Sequence, residues 1–242
     1  MSSFVVLTPS RGLVHSLTAE AVMANVDQAV AAGHEFRGWR LTHGLPIPDC
    51  HERVTEMGMA TGAEYLFFVE EDMVPQPGSL PALIALQSKA PVTCIDYPVG
   101  WPKGWQVPDG AALWREATRG CWSCVNTPNG AGYLEWAPFG CTLIHRRVYE
   151  ALSQPWYDVG KQTKVWHFGT RKTVTETIQE PYKYGGEDVE FGRRLIAEGF
   201  RIALVPDMLA GHALLKTWGP IQDNDGAHTV VVRDKIEWEW PR

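Results

Sequence analysis

Three consecutive acids, Glu70-Glu71-Asp72, close the apolar run Tyr65-Leu-Phe-Phe-Val69. Neighbouring carboxylates repel one another unless a cation or strong donors hold them. Hard oxygen ligands of this kind suit Mg²⁺ or Mn²⁺, and Mg²⁺ is commonly held by one or two carboxylates together with substrate phosphates. The same acids also read as a plain acidic loop or helix start, since Pro75, Pro77 and Gly78 follow at once and acids are common there. A second pair, Glu187-Asp188, comes after Gly185-Gly186 and opens a helical pattern. A helix N-terminus favours a charged carboxylate, and plain capping is the ordinary use of such a pair. His212 has two readings as well, a structural histidine or an imidazole ligand.

The elements around these residues decide how they are presented. Residues 65–69 form a short, unbroken run of aromatic, branched and β-branched side chains, the signature of a buried strand in a parallel sheet. Helical patterns flank it, which predicts an α/β fold. In open α/β sheets ligands bind beyond the carboxyl ends of the strands, which is where the acids stand. Residues 4–7 predict a first strand, ending in Thr8-Pro-Ser-Arg-Gly12, with a helix over 14–32. Pro9 and Gly12 enforce a turn there, and Thr8 and Arg11 are its polar tools. No dinucleotide fingerprint and no P-loop is present. A weaker strand over 36–42 precedes a helix over 49–60, which has a proline and acids at its start. Arg53 on that helix reads as a solvated residue or a phosphate contact.

Further on, a helix is predicted over 79–88 and a strand over 91–97 ending near Asp96. Residues 98–132 are loop-rich and contain Trp101, Trp105, Trp114 and Trp122, aromatics that either stack on sugars and bases or pack inward. A β pair is expected over 132–136 and 141–145, joined by Ala137-Pro-Phe-Gly140, followed by a short helix over 146–152 and an extended stretch over 164–178. The helix from Asp188 ends on Gly199, a usual stop residue. A strand over 200–205 then leads through Pro206-Asp207 to His212, and the alternation over 229–240 reads as an edge pair or hairpin.

The whole chain of 242 residues is long enough for one large domain or two small ones, with ordinary globular composition. A net charge of −6 argues against nucleic acid as the main partner. No apolar run approaches the length of a membrane span. The first residues lack the basic and apolar regions of a secretory leader, so the expected location is the cytoplasm. The five cysteines, Cys50, Cys94, Cys121, Cys124 and Cys141, are an odd number and read as free thiols. Cys121-Trp-Ser-Cys124 is open to a structural pair, a metal clip or a disulfide.

The order of these motifs resembles the nucleotide-sugar-dependent glycosyltransferases of the GT-A fold, particularly family 2 and its phage and bacterial relatives. The likeness rests on Glu70-x-Asp72 after a strand, on Pro138-Phe-Gly-Cys-Thr-Leu-Ile-His-Arg146, on Gly186-Glu187-Asp188 opening a helix, and on the late His212. It covers residues 4–213. It implies a Rossmann-like, mostly parallel sheet flanked by helices, with a smaller antiparallel β region on the acceptor side. Residues 1–97 would be the nucleotide-sugar-binding half and 98–242 the acceptor and catalytic half.

The resemblance also implies roles. Asp72 and His212 would hold Mn²⁺ or Mg²⁺, with Glu70 in the position usually taken by a first aspartate. Asp188 would be the catalytic base, with Glu187 beside it. Thr8, Pro9, Arg11, Arg53, Glu70, Glu71 and Gly140 would meet the donor, and Lys216 is placed only by its position after His212. The partners would be a UDP- or GDP-sugar and a glycan, protein or small-molecule acceptor. The implied activity is a hexosyltransferase type of transfer, inverting if Asp188 acts alone as base. Two other readings stay open: a non-catalytic glycan- or nucleotide-sugar-binding protein on the same scaffold, and a sugar-1-phosphate nucleotidyltransferase.

Overall fold

The computed structural model describes residues 2–10, 12–97, 133–134, 136–158, 162–167, 172–177, 187–212, 221–222 and 228–229. The expected fold class is what it shows: a mostly parallel sheet with helices on both faces and small antiparallel pairs beside it. The strands are β1 (Ser3–Thr8), β2 (Glu35–Leu41), β3 (Tyr65–Val69), β4 (Met73–Pro75), β5 (Val92–Asp96), β6 (Cys141–His145), β7 (Gln162–His167), β8 (Lys172–Thr177), β9 (Ile202–His212), β10 (Ile221–Gln222) and β11 (His228–Thr229). The helices are α1 (Ser16–Ala31), α2 (Asp49–Met59), α3 (Ser79–Leu86), α4 (Arg147–Ala151) and α5 (Glu187–Ala197).

Seven strands form the main sheet in the order β2-β1-β3-β6-β5-β9-β4. β1 runs parallel to β2 and β3, and β5 parallel to β9, while β6 is antiparallel to both its neighbours and β4 to β9. Thus β6 does not form the expected hairpin with 132–136. It fills the gap between β3 and β5, and Leu134 instead makes a single antiparallel bridge to Ile202. The physical reason is burial: Cys141 to Ile144 are buried without interruption, and a strand buried on both faces belongs in the sheet centre rather than at an edge. β9 also runs on past Val205, where the sequence pattern stops, as far as His212. β7 pairs with β8 along its full length, giving the extended stretch near 164–178 a hairpin partner. The Trp-rich loop, both cysteines of the C-x-x-C and most of the C-terminal alternation lie outside the described residues.

The pleat sends alternate side chains to opposite faces. Val5, Leu7, Leu66 and Phe68 pack toward α2, α4 and α5, whereas Phe4, Val6, Phe67 and Val69 pack toward α1 and α3. All eight are fully buried, and each such side chain contributes about 1.5–3 kcal/mol relative to exposure. α2 lies close on this surface because Gly58 has no Cβ: one placed there would come within 2.9 Å of both Leu7 methyls. Cys50, Cys94 and Cys141 are buried. Among the described residues no helix is long and apolar enough to cross a membrane.

Candidate functional site

The alternation of β3 continues into the acids that follow it. Leu66 and Phe68 face α2, and Glu70 turns the same way, its Oε1 lying 3.9 Å from His51 Nε2 on that helix. Phe67 and Val69 face α1, and Glu71 turns with them. Its Oε2 accepts a hydrogen bond from Ser10 Oγ at 2.8 Å, and its carbonyl accepts from His15 N at 2.8 Å. Glu71 therefore fastens the loop between β1 and α1, with Ser10 Oγ also accepting from Gly12 N. Asp72 is half-buried in the turn between β3 and β4.

The next strand ties this turn to the late histidine. Met73, Val74 and Pro75 pair with His212, Gly211 and Ala210. To reach that register β9 changes step: Leu204 pairs with Cys94 but Leu209 with Asp96, so four residues of β9 oppose the single Ile95 of β5. Pro206, which has no N–H to give a ladder, stands inside this irregular stretch. Asp72 and His212, predicted as a pair, are thereby brought to neighbouring ends of two bonded strands.

Gly140 joins the same rim. Its carbonyl accepts from Glu70 N at 3.3 Å, and its N–H donates to Tyr97 Oη at 3.2 Å. A Cβ on residue 140 would lie 2.3 Å from the Tyr97 ring. Only glycine fits, and the fit holds the ends of β3, β5 and β6 together. Asp96, just before Tyr97, is buried and accepts from Tyr97 N at 2.9 Å.

Glu187 and Asp188 open α5, Glu187 buried and Asp188 half-buried. Beneath them lies an aromatic floor. Phe191 stacks on Tyr157 with ring centres 5.1 Å apart, and Phe139 meets both Tyr157 and Phe191. His51 is tilted against Phe139 and Tyr157. Burial pushes His51 down to about 3, so the imidazole is neutral at ordinary pH and its contact with Glu70 is not an ion pair. Cys50, whose Sγ is 3.5 Å from His51 Nδ1, is pushed up to about 12, first by burial and then by the charge of Glu187, with Glu70 adding to it. That thiol is no nucleophile. Through His51, α2 meets Glu70 at the end of β3 and the Phe139 and Tyr157 rings, on which Phe191 of α5 packs.

Two side chains fix α2 to α5. Glu52 accepts from Trp156 N at 2.9 Å and Tyr157 N at 3.1 Å, its carboxyl raised by burial and partly held back by those two donors. Arg194 on α5 donates to the carbonyls of Ser153, Pro155 and Trp156.

On the expected donor side, Thr8 is buried and its Oγ1 accepts from Trp39 Nε1 at 2.9 Å, while Ser10 N donates to Thr42 Oγ1. Pro9 lies buried between them in sequence. Arg53 is exposed on α2 and pairs with Glu56 at 2.9 Å, on the same helix. Arg11 and Lys216 lie outside the described residues. His51, Ser10, Glu52 and Tyr97 were not singled out from sequence. The first was detectable, because the α2 positions buried with it, Cys50, Val54, Thr55 and Gly58, trace a helical stripe.

Among the described residues no group of three or more His, Cys, Asp or Glu side chains is arranged to hold a metal ion. By residue type, Asp72 just before β4 and His212 at the end of β9 offer a carboxylate and an imidazole, an oxygen and a nitrogen donor of the kind a divalent ion takes.

No family model matches the chain, and no curated protein does. Among solved structures the fold is similar to the crystal structure of A197 from STIV, at 15% identity and a TM-score of 0.47, covering 88% of this chain and 85% of that one. It is also similar to the crystal structure of GalNAc-T7 with UDP, GalNAc and Mn²⁺, at 14% identity and a TM-score of 0.49, covering 88% of this chain. The match spans 44% of the GalNAc-T7 chain, less than half its length.

Proposed function

We propose that this chain is a glycosyltransferase of GT-A type that moves a sugar from a nucleoside-diphosphate donor to an acceptor hydroxyl. The supporting observation is the convergence of acids from distant parts of the chain. Glu70 at the end of β3 lies 3.9 Å from His51 on α2, the next strand β4 is paired with the end of β9 so that Asp72 and His212 are neighbours, and Glu187 and Asp188 open α5. Acids gathered beyond the carboxyl end of a parallel strand are where an α/β sheet binds ligands.

In this reading Asp72 and His212, with Glu70 near them, hold Mn²⁺ or Mg²⁺. A bound divalent ion would offset the charge that grows on the leaving diphosphate. Thr8, Pro9 and the loop fastened by Glu71 form the nucleotide side, and Gly140, packed on Tyr97, holds together the strand ends beneath the donor. Asp188 accepts the proton of the acceptor hydroxyl as its oxygen bonds to the anomeric carbon. The carbon–oxygen bond to the diphosphate breaks, and the nucleoside diphosphate leaves. A single displacement of this kind inverts the anomeric centre.

Thermal stability measured with UDP-, GDP- and dTDP-sugars, each with and without Mn²⁺, tests the donor class, since a ligand stabilises the form it binds. A metal-dependent rise with one nucleotide is the expected result. No rise with any of them sinks the reading. Turnover that disappears in Asp188→Asn while donor binding persists separates a transferase from a binding protein, which would have no turnover to lose.

A further inference from the structure

The His51 side chain is 2% exposed, and its Nε2 has no hydrogen-bond partner. Burying an unmatched polar atom is costly, so an arrangement that keeps one has a use for it or completes it on binding. The ring is held between Phe139 and Tyr157, with centroid distances of 5.1 and 5.6 Å. Its Nδ1 meets the free thiol of Cys50 at 3.5 Å. In the pairing where the thiol offers its S–H to Nδ1, Nδ1 is the acceptor and the ring proton stands on Nε2. Nε2 lies 3.9 Å from Glu70 Oε1, about an ångström beyond hydrogen-bond reach. Glu70 is 31% exposed and has one more torsion to freeze than an aspartate. A small swing of its flexible side chain closes the gap, whereas the packed ring cannot move to meet it.

We propose that His51 is the positioning residue for Glu70: its Nε2–H captures the Glu70 carboxylate from beneath and fixes its rotamer when a nucleoside diphosphate docks. This rests on the reading of Glu70 as a donor-side acid. His51 touches no substrate in this scheme and acts through Glu70 alone. Cys50 sets the tautomer, and Phe139 and Tyr157 set the angle.

Two measurements on the full chain test it. The first needs no ligand. Nitrogen-15 NMR of the histidine rings should show His51 protonated on Nε2, and Glu70→Ala should move the Nε2 resonance. A proton on Nδ1, or an Nε2 signal that ignores Glu70→Ala, overturns the proposal. The second is titration calorimetry with UDP and with GDP, each in the presence of Mn²⁺. His51→Phe keeps an aromatic ring in the slot but removes the donor, and should weaken binding about tenfold, the weight of a charge-assisted hydrogen bond. His51→Gln carries an N–H to the same side and should restore most of the loss. In a Glu70→Ala background His51→Phe should have no further effect. A full further loss in that background would show that His51 works independently of Glu70 and would overturn the proposal. Should the unaltered protein bind neither nucleotide, the donor reading fails, and the ring tautomer still decides whether His51 addresses Glu70.

Discussion

Met73 stands opposite His212 in the β4–β9 ladder. Asp72, one residue before Met73, is therefore placed next to a histidine far along the chain by strand register. Hydrogen bonds between two short strands set this relation, so it belongs to the fold and would be expected before any ligand arrives.

Metal and nucleotide should bind as a coupled pair. UDP or GDP should bind more tightly with Mn²⁺ than with EDTA, and Asp72→Ala should erase the difference. Calorimetric titration of both proteins under both conditions checks this. Equal affinity for the unaltered protein with and without metal would remove Asp72 and His212 from any metal role.

Asp188 and Glu187 should separate in kinetics. Asp188→Asn should leave donor affinity in place and lower transfer by about 10²–10⁴, the usual weight of general base catalysis. Glu187→Gln, at a buried position, should cost less turnover. Transfer rates measured beside donor affinity decide the matter. Near-normal turnover in Asp188→Asn would move the base elsewhere, Glu187 and Asp96 being the next acids to try.

Acid should destabilise the fold through His51. In the folded chain this group is held down to about 3 against an ordinary value of 6.5. Between those values the unfolded chain binds the extra proton and the folded chain does not, so stability rises with pH. It is fully present above about pH 6.5 and falls by up to about 1.4 kcal/mol for each pH unit on the way down toward 3. Chemical denaturation at a series of pH values should show this slope, and His51→Phe should flatten it. An unchanged slope in the variant would assign the acid sensitivity to other groups.

Gly140→Ala should be destabilising, because the added methyl would lie 2.3 Å from Tyr97. Overpacking of this kind costs about 1–3 kcal/mol. Tyr97→Phe removes only the hydroxyl that accepts from Gly140 N and should cost about 0.5–1.5 kcal/mol. The double variant Gly140→Ala, Tyr97→Ala makes room for the methyl. It should recover part of the clash if the ring is its source, as denaturation midpoints will show.

The strands and helices that line the acids were largely legible, because each carries an uninterrupted apolar run or a clear helical stripe. Residues 65–69 were read as a buried strand and are one. Placing β6 was harder. Cys141 to His145 follows a turn-like Ala-Pro-Phe-Gly, and local pattern favours a hairpin with what comes before. The sheet instead inserts it antiparallel between β3 and β5, a choice made by long-range burial that no local signal encodes. The helical stripe of α2 places His51 on its inner face, but the ring's full burial is not readable from the stripe. Burial of a polar residue depends on what packs over it, here Phe139 and Tyr157 from distant segments. Glu71 shows the limit of reading a cluster as one unit: three adjacent acids look equivalent in sequence, yet the pleat sends Glu70 and Glu71 to opposite faces.

Strand β9 serves two neighbours, β5 with its first half and β4 with its second, and the four residues opposite Ile95 form the joint between them. Val205, at the start of this joint, is buried in the core, so packing as well as the ladder limits what can stand there. A deletion of the three residues after it would leave one residue opposite Ile95, with Leu209 still opposite Asp96 and His212 still opposite Met73. The register on either side of the joint would thus survive its removal, and a deletion series across it would tell whether the irregular stretch itself, rather than the strand pairing, matters to the site.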